Sequence, residues 1–144
     1  MKVRVLAVCL TITALAGSAA VAGLAACGAD QPGRAPLVLP AASDFTPGTC
    51  RDAADPILAL GKLTYDRAGA TTLPAGDYPF LAQQNDKLVP VRDHAEPAVR
   101  DHLNAVLTAI GFVRIRPGKA YNPQLITDLE AARAALQSAC VKQG

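Results

Sequence analysis

Arg-Asp-His occurs twice, at Arg92-Asp93-His94 and Arg100-Asp101-His102. An aspartate beside a histidine is the kind of pair that orients an imidazole for proton transfer or for holding a metal ion. On one continuous α-helix, however, an offset of eight residues turns through roughly 800°, leaving His94 and His102 about 80° apart and roughly 12 Å apart along the axis. That is too far to share one metal ion. A hydrolytic triad would also need a nucleophile, and Ser43 and Ser138, the only serines after residue 26, stand in no nucleophile motif. Gly61, Gly69, Gly76, Gly111 and Gly118 are scattered as loop and cap residues are, so no phosphate-cradling loop is formed. The repeats read as a solvated helix face, with Asp93 capping and Glu96 paired to Arg100 at i, i+4. No catalytic residue, metal ligand or cofactor is expected.

The thiols carry the other chemistry, at Cys9, Cys27, Cys50 and Cys140. The first two belong to an N-terminal segment that opens with Lys2 and Arg4 and then runs without charge from Val5 to Ala26. Leu6, Leu10, Ile12, Leu15, Val21 and Leu24 make it apolar, while Gly17, Ser18, Gly23 and the alanines weaken its far end. Such a layout is that of a signal peptide. The run is also about as long as the roughly 20 residues that a permanent transmembrane helix requires. Its last four residues decide between the two, since Leu24, Ala25, Ala26 and Cys27 place an aliphatic residue and two small ones before a cysteine.

That pattern resembles the lipobox of bacterial lipoproteins. The resemblance covers residues 1–27 and implies that a signal peptidase recognises Leu24, Ala25 and Ala26 and cuts before Cys27. It further implies a diacylglyceryl group on the Cys27 thiol, so residues 1–26 are expected to be lost and the membrane is an expected partner. Each buried acyl methylene contributes about 0.8 kcal/mol, and two chains hold far more firmly than one. The expected location is the outer face of the cytoplasmic membrane or elsewhere in the cell envelope.

The full chain has 14 Lys and Arg against 12 Asp and Glu, and losing Lys2 and Arg4 leaves 12 of each. A neutral mature chain argues against a nucleic-acid partner. Cys50 and Cys140 are then its remaining thiols, and an even pair in an oxidising compartment reads as a disulfide. They lack C-x-x-C spacing and a nearby histidine, which argues against a redox or metal-binding pair.

Residues 27–48 read as a lipidated start and a linker, with Pro32, Gly33, Pro36, Pro40 and Pro47 and no periodicity. Leu37-Val38-Leu39 interrupts it, and docking on the domain is the favoured reading over contact with lipid. Residues 49–144 have helical spacing, and an all-α, up-down bundle of four helices is predicted, over about 50–67, 77–91, 93–112 and 122–141. Thr49 is the expected cap of the first helix, with Asp52 three residues on. Pro56 either kinks that helix or opens a fresh one after Asp55. The second helix has a sparse stripe of Leu81, Leu88 and Val91, with Gln84 among them. The third has Val99, Leu103, Val106, Leu107 and Ile110. Asn122-Pro123 is expected to open the fourth, whose stripe is Leu125, Leu129, Ala132, Leu136 and Cys140.

An even number of antiparallel helices brings Cys50 and Cys140 to one pole, where a disulfide needs their Cα atoms within about 7 Å. The membrane tether is expected at that same pole. Arg114, Arg116 and Lys119 form a short basic run beside Tyr121, read as a solvated loop or as a contact for lipid headgroups or an acidic partner. Tyr65, Tyr78, Phe80 and Phe112 belong either to the core, the default reading, or to an exposed apolar groove. The function expected is that of a non-catalytic binding or adaptor module for another envelope protein, with a small-ligand or lipid carrier as the alternative.

Overall fold

A computed structural model of the chain describes residues 35–115 and 121–142. The signal segment and lipobox, Leu24 to Cys27, lie outside these residues, as do Arg116 and Lys119. The described part is all-helical, with α1 Thr49–Asp52, α2 Ala54–Arg67, α3 Asp77–Asp93, α4 Pro97–Arg114 and α5 Gln124–Cys140. Among the described residues there is no strand, only an isolated antiparallel bridge between Phe45 and Val141.

Proline chemistry sets several of these bounds. In an unbroken first helix, Pro56 would deprive the Asp52 carbonyl of its donor and press its ring against that carbonyl. The chain breaks at Ala53 instead, and Pro56 falls in the first turn of α2, where no N–H is required. The expected helix over 50–67 is thus two helices. Thr49 is their first helical residue rather than the cap; Gly48 precedes it at φ +87°, a left-handed conformation that suits glycine. Pro97 likewise corrects the start of the third helix. A residue before proline is driven out of the α region, and Glu96 accordingly sits at ψ 152°. Asp93 therefore ends α3 instead of capping α4. Pro90 neither ends nor breaks α3, which runs three residues further. The Pro90 carbonyl is satisfied by Nδ1 of His94 at 2.9 Å, a contact that assigns the ring proton to Nδ1. The last helix, α5, begins at Gln124, one residue later than expected, and the Asn122 side chain accepts from the Gln124 N–H at 3.0 Å.

The four long helices form a ring in which each packs on the next and α2 also packs on α5. Thr64 meets Glu130, and Gly61 meets Arg133, so α2 and α5 run in opposite directions. The core is the set of side chains that this ring turns inward. Ile57, Leu60, Leu81, Leu88, Leu103, Ile110, Leu129 and Leu136 have no exposed surface. Cys50 and Cys140 are bonded, with Cα atoms 5.2 Å apart, at the pole where α1 starts and α5 ends. The pairing expected of the two remaining thiols is formed, and the four long helices bring both to one pole as it requires.

The segment before α1 is part of the packed unit. Ala42–Asp44 make a single 3-10 turn, Phe45 is fully buried, and the Thr46 N–H donates to the Cys140 carbonyl at 2.9 Å. Leu39 rests against Gly61, where an added Cβ would lie 3.0 Å from its Cδ2. The Tyr65 hydroxyl donates to the Ala35 carbonyl at 2.8 Å. Residues 35–45 therefore run antiparallel to α2, from its last turn back to the disulfide. The described chain begins at the pole opposite the staple, not beside it as expected, because these residues pack along a helix instead of leaving the domain directly.

Candidate functional site

The two Arg-Asp-His repeats are divided by the break before α4. His94 caps the end of α3, while His102 is half-buried within α4. Arg92 donates through Nε and Nη2 to one oxygen, Oδ1, of its neighbour Asp93, at 2.9 and 2.7 Å. Arg100 donates to the Ala95 carbonyl at 2.6 Å, in place of the expected Glu96 pair. Arg100 thus ties α4 back to the short connection after α3. Among the described residues, no three of His, Cys, Asp and Glu are grouped so that they could hold a metal ion.

Polar groups inside the bundle are concentrated between α2 and α5. Arg133 is 5% exposed. Its Nε and Nη2 grip the Glu130 carboxylate at 2.8 and 2.5 Å, and its Nη1 donates to the side-chain Oε1 of Gln137 at 2.5 Å. Glu130 also accepts from the Thr64 hydroxyl. A buried guanidinium is tolerated when its donors are matched in this way. Sequence reading passed over Arg133 because it stands one residue from the apolar stripe at Ala132. Gln84 on α3 is also buried, with its Oε1 unpartnered, and nothing in the structure explains it.

A second cluster occupies the pole opposite the disulfide. Arg67, at the end of α2, holds Asp77, the first residue of α3, through Nε at 2.5 Å and Nη2 at 3.2 Å. Hydrogen bonding to Asp77 raises the Arg67 pKa, against an opposing desolvation. The Asp77 carboxylate also sits where the amide dipoles of α3 favour negative charge. Tyr121 lies in the same cluster, and its hydroxyl is buried without a partner. Desolvation raises its pKa first, helped by Tyr78 and Asp77 and opposed by Arg67.

Among the described residues, depressions open beside α2 and α3 and between α4 and α5. The first, of about 530 Å³, is bounded by Ala59, Lys62, Leu63 and Asp66 of α2 and by Gly76, Asp77 and Phe80 beside them. The second, of about 340 Å³, lies between Ala105, Thr108, Ala109 and Phe112 of α4 and Leu125, Asp128 and Ala132 of α5. Small side chains make much of this second valley, with Phe112 in its wall. Phe112 is 53% exposed and Ile115 is 76% exposed, which corrects the assignment of Phe112 to the core. Tyr65, Tyr78 and Phe80 are half-buried. Leu39 docks as expected, while Val38 stands 86% exposed. Of the basic run, Arg114 is exposed at the end of α4.

Among the described residues, no helix is long and apolar enough to cross a membrane. Comparison of the chain with protein-family models, with curated proteins and with solved structures gives no match.

Proposed function

We propose that the chain is a cell-envelope lipoprotein, acylated at Cys27, whose helical domain is a non-catalytic binding or adaptor module for another envelope protein. The observation that carries this reading is the Cys50–Cys140 disulfide. Such bonds persist in oxidising compartments, which is where a lipobox delivers a chain. The binding surface assigned here is the depression between α2 and α3, which offers Leu63 and Phe80 as apolar contacts and Lys62 and Asp66 as charges of both signs. An apolar floor with a few polar groups at its rim suits capture of a partner's side chain.

Intact mass spectrometry of protein extracted from membranes tests the location. The expected result is a mature start at Cys27 with added acyl mass, and alkylation of Cys50 and Cys140 only after reduction. An unprocessed N-terminus would overturn it. The volume of the same depression favours a second reading, a carrier of a small ligand or lipid, since about 530 Å³ falls within the range of ligand pockets. Crosslinking through Lys62 in membranes separates the two. A defined protein adduct supports the adaptor, whereas a co-purifying small molecule released on unfolding supports the carrier.

A further inference from the structure

We propose that the pole where α4 ends and α5 begins docks on an anionic lipid surface, with Phe112 and Ile115 entering the headgroup layer and Arg114 among the phosphates. This rests on the lipid anchor at Cys27 proposed above.

The path of the chain carries the proposal. The Tyr65 hydroxyl holds the Ala35 carbonyl at the last turn of α2, so the tether leaves the domain at this pole. Ala35 stands only eight positions after Cys27. Fully extended, that stretch reaches at most about 28 Å. The anchored end of the bundle therefore stays close to the bilayer.

Exposed apolar surface gathers at the same end. The large hydrophobic side chains left exposed among the described residues are Leu37, Val38, Phe112 and Ile115. The first two lie on the segment between Ala35, beside Tyr65, and Leu39, beside Gly61, and the other two close α4. The pole where α2 and α4 end and α5 begins carries charge of both signs, with Asp66 and Asp128 exposed there as well as Arg114. The sequence has no Asp or Glu between Asp101 and Asp128, and Arg114 is exposed within that stretch. Asp44, Asp52, Asp55, Asp93 and Glu96 are exposed around the disulfide pole, among the exposed cations Arg51, Arg100 and Lys142. Apolar side chains flanking a cation are what the interface of such a bilayer accepts. A lipid anchor raises the effective concentration of this contact, so weak intrinsic docking suffices.

The chain contains no tryptophan, so a single introduced indole reports its own depth. The lipidated protein would be reconstituted in vesicles containing phosphatidylglycerol and phospholipid with brominated acyl chains. Phe112→Trp and Ile115→Trp are compared with Ala98→Trp, an exposed position in the first turn of α4 at the far pole. Docking is expected to make both test indoles several-fold more quenched than the control, and Arg114→Glu added to Ile115→Trp is expected to reverse most of the difference. Equal quenching at the three positions, with acyl mass confirmed on Cys27, would overturn docking and leave the anchor standing. Emission that shifts blue with protein density but is not quenched would assign the face to a second copy, and also overturns the proposal. Absence of acyl mass would remove the anchor reading itself, and docking with it.

Discussion

Tyr121 shows how a single side chain links burial to pH. Its phenol is held neutral in the fold chiefly by desolvation, so its folded pKa lies above the ordinary value near 10. The unfolded chain therefore releases this proton first as pH rises. The contribution is present in full below pH 10 and is lost as pH climbs from there through the raised folded value. Tyr121→Phe removes the titration and the unpartnered hydroxyl together. It is expected to leave stability at pH 7 unchanged or higher by about 1 kcal/mol. Urea unfolding at pH 8, 10 and 11 should show a shallower alkaline loss in the variant; an equal loss in both proteins would rule out this role. No sequence pattern signals that cluster, since residues 67, 77, 78 and 121 meet only after three helices have packed. Cys50 and Cys140 were legible because their partner was fixed by elimination, whereas Arg133 was not, because a charge beside an apolar stripe reads as solvent-facing.

At the level of elements, helices were read well wherever apolar side chains recur on one face, as at Leu103, Val106 and Ile110 of α4. The buried face of α3 is Asp77, Leu81, Gln84 and Leu88, half of it polar, and its signal was correspondingly faint. The segment before α1 was read as linker because Pro40 and Pro47 bracket it and one buried aromatic gives no period. Phe45 nevertheless has no exposed surface and joins α1 to the end of α5. Phe45→Ala is expected to destabilise the domain by about 3 to 5 kcal/mol in urea unfolding, as other buried Phe→Ala changes do. It should also open the bonds from Phe45's neighbours Thr46 and Lys142 to Cys140 and Asp44, measurable as faster amide exchange at residues 46 and 142. A loss below 1 kcal/mol would return this segment to the status of a linker.

For the molecule as a whole, the staple matters because the core is small. The bonded cysteines are 90 residues apart in sequence. Closing a loop of that length stabilises a fold by roughly 4 to 5 kcal/mol in the chain-entropy description. That is comparable with the entire stability of many small domains. The Cys50→Ser, Cys140→Ser double variant is therefore expected to fall close to the unfolding midpoint at 37 °C, with its urea midpoint lowered accordingly. Retention of full stability would mean that the helices alone suffice.

The antiparallel course of residues 35–45 along α2 also has a mechanical consequence. A pull on the chain from the side of Ala35 acts along the length of this segment, so Leu39 and Phe45 resist in shear and share the strain instead of being peeled away in turn. Force that passes them reaches Cys50 and crosses the sulfur bridge into the end of α5. The bundle is thus strapped lengthwise against tension applied at Ala35.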